Sequence, residues 1–464
     1  MPAPIRDSVT SINKDGSRNF IHPADVRGKF TTVRKFVAAL LIAIYIALPW
    51  IKIGGNPAVF LDIAARRFHL FGITLSLTDI WYLFFAVTGL GILIFFTTAL
   101  LGRIWCGWTC PQTVFLDFVF RRIERWLEGD RAARRRLDKT AWADPNKIIR
   151  RGAKIIIFFI ISALIAHIFL SYFVSLPALY TMMSESPLQH WGSFVFVSVA
   201  TLIFFFNFYW FREQLCIIIC PYGRFQSVLI DDDSLVVGYD AKRGEPRGKP
   251  SQTDVGDCVD CHRCVQVCPT GIDIRQGLQI ECVSCSACID ACNEIMDKLK
   301  RPRGLIRYDS MHALDGNKTR FFRPRIVIYG ILMLIGAVVA SIALSHYSPA
   351  SLMVTRMPGD PYTILSGTVQ NRFKVRLINK SNQNLTFSAE LEGAPAGASI
   401  EGFSSLTLAP QEEQVIQMLV GQGKSTYTGS FPFKIVLKSS DGKVVVKDSA
   451  SFSGPSPEYL QSLP

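Results

Sequence analysis

The sequence predicts a multidomain α-helical membrane protein with five transmembrane helices, a cysteine-rich module and an all-β domain near its C-terminal end. Three observations lead to this fold class: long uncharged apolar segments, twelve cysteines that all lie between Cys106 and Cys292, and a turn-rich final segment. Charged residues make up 19% of the 464 residues, below the share of about 25% that is usual in globular proteins. This composition argues against a soluble enzyme, and the cysteine distribution argues against a secreted disulfide scaffold.

Five segments have the apolar character and length of membrane-spanning helices, because about 20 apolar residues cross the hydrocarbon core. In chain order they are residues 36–51, 81–101, 155–174, 191–210 and 326–345. The first segment is short, but Arg34 and Lys35 at one end and Lys52 at the other can extend their charged groups to the membrane surface.

Positive charge predicts the orientation of these spans. Thirteen Lys and Arg residues lie within 103–154, and none lies within 175–190. The positive-inside rule therefore places the N-terminus, the 102–154 loop and the 211–325 segment in the cytoplasm, and the C-terminal segment outside. The net charge of +13 indicates topology and attraction to anionic lipid, and it requires no nucleic acid. The first 35 residues lack a signal-peptide pattern.

Two copies of the pattern C-x3-C-P follow the second and fourth spans. They comprise Cys106, Cys110 and Pro111 in the first copy, and Cys216, Cys220 and Pro221 in the second. Both spans run in the same direction, so the copies indicate a parallel duplication whose motifs face each other. Within one helix, cysteines four residues apart share a face. Each proline is expected to kink its helix and to free a carbonyl, that of Gly107 in the first copy.

Such thiol pairs suit Cu(I), zinc or an iron–sulfur centre, and two- or three-coordinate copper is preferred here. One site that uses all four thiols remains open, and the alternative is that the cysteines simply pack between helices. The segment 114–128 is amphipathic. It is expected either to lie along the inner membrane surface or to pack as an ordinary helix on the soluble module.

The other eight cysteines form two runs of the pattern C-x2-C-x2-C-x3-C, which is the pattern of bacterial ferredoxins. In that pattern the fourth cysteine of each run binds the other cluster. One [4Fe–4S] cluster is therefore assigned to Cys258, Cys261, Cys264 and Cys292, and a second to Cys282, Cys285, Cys288 and Cys268. Structural zinc and disulfides are the alternatives, but zinc sites normally use separated pairs and a reducing cytoplasm opposes disulfides.

The final segment alternates between apolar and polar residues in short stretches, at 372–378, 385–391, 415–420 and 431–437, with a hairpin turn at 440–443. These strands predict an immunoglobulin-like β-sandwich without a disulfide. The predicted organisation is a cytoplasmic N-terminal segment 1–35, a four-span membrane domain 36–230, a cytoplasmic dicluster ferredoxin-like module 231–325, a fifth transmembrane helix 326–345 and a periplasmic sandwich 346–464.

These features, together with the stretch Gly238-Tyr-Asp-x3-Gly-Glu-Pro-Arg247, resemble the CcoG/FixG/RdxA family over nearly the whole chain. Membrane ferredoxin proteins of the NapH type share the cysteine motifs but lack the terminal sandwich. The resemblance implies a multi-pass protein of the bacterial cytoplasmic membrane, like a membrane polyferredoxin, that assists assembly of cbb-type cytochrome oxidases. It would do so as a cupric reductase, turning Cu(II) into Cu(I), with copper as its substrate or transiently bound ion.

In this interpretation the copper-binding, catalytic residues are Cys106, Cys110, Cys216 and Cys220. The implied partners are the copper ion, oxidase assembly factors or a copper-transporting ATPase, the lipid membrane, and a separate cytoplasmic electron donor, because no G-x-G-x-x-G follows a predicted strand. A homodimer is left open. Two other functions remain: a quinol-linked ferredoxin-type conduit without copper, and an assembly scaffold whose clusters are structural or sensory.

Overall fold

The computed structural model describes residue 11 and residues 18–76, 79–365 and 367–462. Its internal contacts divide the chain into two compact units. The first unit comprises Met1–Ile51 and Phe85–Val338, and the second comprises Lys52–Phe84 and Val339–Pro464. The cysteine motifs all belong to the first unit.

Five helices in the described residues are long and apolar enough to cross a membrane, as the sequence predicts. They are Lys29–Ala47, Ile80–Leu101, Pro145–Leu170, Trp191–Phe211 and Pro324–Ser345, and are called spans 1 to 5. Most of their side chains are not covered by protein: Leu334, for example, is 65% exposed. A soluble protein buries such residues, so this exposure agrees with a lipid environment. Span 1 begins seven residues earlier than expected.

Short helices connect spans 2 and 3 and follow span 4. The first group consists of Ile104–Trp108, Pro111–Phe115, the π-helix Leu116–Phe120, Arg121–Glu128 and Arg131–Lys139, and the second of the π-helix Leu215–Ile219 and Pro221–Leu229. Two of these helices begin with a proline directly after a cysteine, so Cys110 and Cys220 lie at helix starts.

The cysteine module is built on one antiparallel strand pair, Leu235–Tyr239 with Ile306–Ser310. Its helices are Ala241–Gly244, Arg263–Gln266, Ala287–Lys298 and Met311–Leu314, with a 3₁₀ turn at Ile274–Gln276. Met296 and Leu305 fill a core that also contains cysteines of both runs. The cysteines are therefore themselves part of the interior of the module.

The second unit contains strands between spans 1 and 2 that the sequence analysis did not predict. These strands are Lys52–Ile53, Asn56–Pro57, Val59–Asp62, Arg67–Leu70 and Ile73–Leu75. A buried ion pair between Asp79 and Lys380, 2.5 Å long, ties this segment to the final domain of the same unit.

The final domain is a sandwich of two antiparallel sheets, which confirms the predicted immunoglobulin-like fold. One sheet contains Ala350–Arg356, Thr363–Leu365, Thr368–Asn379, Ala398–Glu401 and Glu413–Gly423, and the other Leu385–Glu392, Leu406–Leu408, Phe431–Ser439 and Val445–Phe452. Inward residues such as Phe373, Phe387 and Met418 are buried between the sheets, where Phe373 and Phe433 meet edge to face at 5.5 Å. A short helix, Pro457–Ser462, ends the described chain.

Candidate metal centres

The structure gathers the eight ferredoxin-pattern cysteines around two cavities. Cys258, Cys261, Cys264 and Cys292 line one cavity. Cys268, Cys282, Cys285 and Cys288 line the other, which Cys264 also borders. Each run of cysteines therefore supplies three thiols to one cavity and its fourth thiol to the other.

The backbone curls in the same way in both runs. The two residues that flank the middle cysteine have a positive φ in each case, namely Asp260 and His262 around Cys261, and Ser284 and Ser286 around Cys285. This conformation costs a residue other than glycine roughly 1–2 kcal/mol. Its repetition at the same two positions of both runs indicates that both loops wrap a bound group of the same shape. His262 itself is exposed and interacts with Arg275.

The thiols fit a cluster better than a single ion. Within the described residues, no three or more His, Cys, Asp or Glu side chains converge closely enough to hold one metal ion. Structural zinc requires four ligands around one point, whereas here four thiols surround a cavity. Burial raises the pKa of Cys282 to about 11 and that of Cys285 to about 12, so these thiols bind protons at neutral pH unless a metal centre balances the thiolate charge.

The two C-x3-C-P copies share a helix break that the sequence analysis did not predict. Gly102 and Arg212, each four residues before the first cysteine of its copy, have φ values of 58° and 53°. The chain turns there, and a short helical segment carries the first cysteine. Glycine adopts this conformation readily, but Arg212 adopts it only because its surroundings hold it there.

The predicted proline kink is wrong. Cys110 and Cys220 are extended, and each caps a new helix whose first residue is Pro111 or Pro221. Proline suits this position because the first N–H groups of a helix have no partner inside the helix. The two thiols of a copy therefore belong to different helical segments, and they do not share one continuous helix face.

Hydrogen bonds cross between the copies in a reciprocal way. Gln112, two residues after Cys110, exchanges two amide hydrogen bonds with Asn207 at the end of span 4, at 2.7 and 3.3 Å. Tyr222, two residues after Cys220, shares a hydroxyl hydrogen bond with Thr98 at the end of span 2. Equivalent positions thus contact each other's span, as a two-fold duplication requires.

The four thiols of the copies lie within electrostatic range of one another. Burial raises the pKa of Cys106 to about 11; a hydrogen bond from Gln226 opposes this rise, and the Cys110 and Cys220 thiols add to it. Burial also raises the pKa of Cys110, although the backbone amides of Gln112 and Thr113 lower it. The Nε2 of Gln226 lies 3.3 Å from the Sγ of Cys106.

The first copy lies directly against the loop of the second cavity. A Cβ atom on Gly107 would lie 2.5 Å from the carbonyl oxygen of Val283 and 2.9 Å from the amide nitrogen of Cys285. The indole N–H of Trp108 donates to the carbonyl of Ser284 at 3.3 Å. Cys106 packs against the apolar cluster that contains Cys285. Only glycine permits this approach of the two backbones.

Arg103 links both copies to the same loop. Its guanidinium donates to the carbonyl of Cys282 at 3.4 Å, to that of Ile280, and to that of Gly223 in the second copy at 2.7 Å. Burial lowers the pKa of Arg103, while the Cys106 and Cys282 thiols raise it. The guanidinium thus places positive charge between the cavity and the C-x3-C-P thiols.

The amphipathic segment buries acidic side chains against the protein and leaves an aromatic side chain exposed. Glu124 and Glu128 are each 1% exposed, whereas Trp126 is 77% exposed. The charged side faces the protein, where Glu124 pairs with Arg212 at 2.8 Å. This cluster of ion pairs was not predicted from the sequence; acidic residues at positions 117, 124 and 128 among many arginines were the available signal.

Fold and cavities together define a membrane-bound iron–sulfur electron-transfer protein. Models of known domains match three parts of the chain: a 4Fe-4S binding domain over residues 82–131, a 4Fe-4S dicluster domain over 211–311, and the immunoglobulin-like fold at the C-terminus of FixG over 340–455.

Similar proteins cover most of the chain. Protein RdxA of Cereibacter sphaeroides is 39% identical over 84% of this chain and 86% of its own length. Protein RdxB of the same organism is 36% identical over 88% and 90%, and the nitrogen fixation protein FixG of Rhizobium meliloti is 34% identical over 82% and 80%. The chain belongs to the RdxA/FixG family, so the resemblance found from the motifs is confirmed.

Proposed function

We propose that this protein is a cupric reductase that supplies Cu(I) for the assembly of a cbb-type haem–copper oxidase. Cys258, Cys261, Cys264 and Cys292 would hold one [4Fe–4S] cluster, and Cys268, Cys282, Cys285 and Cys288 the other. These clusters, when bound, supply single electrons for Cu²⁺ + e⁻ → Cu⁺. The module and the N-terminus would face the cytoplasm and the sandwich the periplasm, following the positive charge of the loops.

The contact between Gly107 and residues 283–285 carries the proposal. It brings the backbone of the first C-x3-C-P copy against a loop that surrounds the second cavity, so no further carrier is needed between them. A ferredoxin module alone does not need cysteines at that position. The copper ion would therefore bind where an electron from the second cavity can reach it.

The thiols would bind copper and determine which oxidation state is stable. Thiolates are soft ligands that prefer Cu(I) to Cu(II), and this preference favours the reduced product. Because no three of the described candidate ligands converge, we propose that two thiols bind the ion, with Cys106 among them. Gln226 would stabilise the Cys106 thiolate by donating a hydrogen bond. The released Cu(I) would pass to oxidase assembly factors or to a copper-transporting ATPase.

An anaerobic titration tests the function. Cu(II) is added to the dithionite-reduced, desalted protein while cluster oxidation is followed by absorbance and EPR, and Cu(I) is detected with a chelator. We expect one Cu(I) for each electron lost, and loss of copper reduction in Cys106→Ala and Cys216→Ala proteins that retain their iron.

A matched control replaces two soft ligands outside the motifs, Met182 and Met183, with leucine, and this variant should reduce copper at the wild-type rate. Copper reduction that is unchanged in a Cys106→Ala, Cys216→Ala double variant would overturn the proposal. The remaining candidates would then be a conduit without copper, or a scaffold whose partner binding persists when the clusters cannot turn over.

A further inference from the structure

A large cleft lies beside the second cysteine cavity, at the ends of spans 3 and 4. Its volume is about 780 Å³, which is within the range of small-molecule sites. Ile155 of span 3, Tyr209 of span 4 and Cys268 all line the cleft. A molecule in this cleft would touch both a membrane-spanning helix and a proposed cluster ligand.

A buried histidine, paired with an exposed aspartate, lines the cleft. The Nε2 of His22 lies 2.8 Å from a carboxylate oxygen of Asp138, so the imidazole donates its Nε2–H to the carboxylate. His22 is more than nine-tenths buried, and its Nδ1 has no hydrogen-bond partner in the described part of the chain. Burying a polar atom without a partner is unfavourable, so this nitrogen is suited to a ligand that donates a hydrogen bond.

Cations and aromatic rings complete the cleft. Arg131, Arg135 and Lys139 follow one another at intervals of four residues on the helix Arg131–Lys139, and all three line the cleft. Among the described residues no carboxylate pairs with them. Trp142 lines the cleft and is 84% exposed. Such a site favours a planar ring with an ionisable hydroxyl group, because cations stabilise its anionic form.

The chain ties this pair to the cluster loop. The amide of Ala24, two residues after His22, donates to the carbonyl of Gln266, two residues before Cys268, at 2.8 Å. This hydrogen bond holds the segment that carries His22 beside the segment that carries the proposed cluster ligand Cys268. Proton acceptor and electron acceptor lie at the same cleft.

We propose that this cleft binds and oxidises a membrane quinol, which makes the quinol the electron donor of the protein. The reaction is QH₂ → Q + 2 H⁺ + 2 e⁻. Each hydroxyl proton passes to the Nδ1 of His22 and leaves by way of Asp138, which is partly exposed. The two electrons go to the two clusters, one each, and reduce two Cu(II) to two Cu(I). The identity of the electron acceptors rests on the proposed function, whereas the quinol-binding site does not depend on it.

A quinol explains the position of the cleft better than a water-soluble donor does. Ile155 and Tyr209 on spans 3 and 4 line the cleft, so a lipid-soluble ring can reach it from the membrane. A quinol also loses protons together with electrons, so it can use the buried base His22. The three cations, which pair with no carboxylate in the described part of the chain, also favour the deprotonated ring, which gives up electrons more readily than the neutral one.

Binding is tested first with 2-heptyl-4-hydroxyquinoline N-oxide, a quinol analogue whose fluorescence is quenched when it binds. The holoprotein in nanodiscs should bind it, and His22→Ala should weaken binding by about 10-fold or more, the effect of one hydrogen bond to a charged group. Trp142→Ala, a change at an exposed residue that does not threaten folding, should weaken it as well. His312→Ala is the matched control, because His312 pairs with Asp233 at 2.9 Å but does not line the cleft.

Electron transfer is tested separately. A short-chain ubiquinol should reduce the clusters of the wild-type and His312→Ala proteins, and should do so about 10-fold more slowly in His22→Ala, while dithionite reduces all three equally. Analogue binding that is unchanged in both His22→Ala and Trp142→Ala would overturn the proposal. The proposal would also be overturned if reduced flavin mononucleotide or an acidic ferredoxin reduces the clusters and ubiquinol does not. If ubiquinol reduces the clusters but reduced protein leaves Cu(II) unchanged, the quinol site stands and the copper function fails.

Discussion

The guanidinium of Arg34 donates a hydrogen bond from Nε to the carbonyl oxygen of Gly107, with 2.9 Å between the two atoms. This is the carbonyl that Pro111 cannot reach, since proline has no N–H. The same guanidinium lies 3.1 Å from Asp117 and above the ring of Phe118. Arg34 of span 1 therefore supplies the donor that the carbonyl of Gly107 would otherwise lack. Gly107 is also the residue whose backbone touches the cluster loop.

Arg34→Lys should destabilise the protein by about 1–3 kcal/mol, because the ammonium group of lysine cannot donate to Gly107 and Asp117 in the fixed directions of a guanidinium. Thermal unfolding in detergent measures the effect. The adjacent, exposed Lys35 provides the control, and Lys35→Gln should leave the unfolding midpoint unchanged. Equal midpoints for both variants would show that this hydrogen bond is not important for stability.

Gly107→Ala tests the contact between the motif and the second cavity. The added Cβ would lie within 3 Å of backbone atoms of Val283 and Cys285, which cannot move without displacing the loop. We expect a loss of about 1–3 kcal/mol in stability and a slower appearance of Cu(I) in stopped-flow measurements on reduced protein. Gly152→Ala is the control, because nothing lies within 4 Å of that position. A wild-type rate in Gly107→Ala with full iron content would contradict the proposed path.

Long sequence patterns encode the parts of the fold that could be predicted. Twenty apolar residues identify a span, and eight cysteines at fixed spacing identify the module. The strands between spans 1 and 2 contain only two to four residues each, such as Lys52–Ile53 and Val59–Asp62, which is too short for an alternating pattern to appear.

Other features depend on partners that are distant in the chain. An amphipathic pattern shows that residues 121–128 form two faces, but it does not show which face meets protein. That choice follows from Glu124, whose cationic partners come from three separate segments. The break at Arg212 is similar: no local signal marks a left-handed arginine, and tertiary contacts hold it there.

Glu124→Gln should cost about 3–5 kcal/mol, because it leaves buried cations without a counter-charge. Burial alone would raise the pKa of Glu124, but Arg212 and Lys154 hold it at about 2, below its ordinary 4.5. A lowered pKa in the folded state contributes stability above the unfolded-state value, and this contribution is lost as the pH falls from about 4.5 to about 2.

Thermal unfolding midpoints measured across that pH range should therefore fall less steeply in Glu124→Gln than in the wild type. Glu294→Gln is the control. Its carboxylate pairs with Lys298 on the surface, and such pairs contribute about 0–1 kcal/mol. If the two variants lose equal stability at neutral pH, the buried network is no stronger than a surface ion pair. Should Glu124→Gln fail to fold, Glu124→Asp keeps the charge but shortens the side chain that reaches three cations, and its stability at neutral pH is compared with that of Glu294→Gln instead.

Gln226→Leu should make Cys106 less reactive. Gln226 is fully buried, and it joins the second C-x3-C-P copy to the first through its hydrogen bond to the Sγ of Cys106. A hydrogen bond donated to a thiolate lowers the pKa of the thiol, so its loss leaves the effect of burial unopposed.

Alkylation of Cys106 by iodoacetamide at fixed pH, followed by mass spectrometry, should then slow by about 2–10-fold, the effect expected for one hydrogen bond. Cys110 is the control within the same sample, because the backbone amides of Gln112 and Thr113 that stabilise its thiolate are untouched. Since copper binds the thiolate, copper reduction should slow together with Cys106 alkylation. Slower alkylation with unchanged copper reduction would show that Cys106 is not a copper ligand and would move the site to the other three thiols.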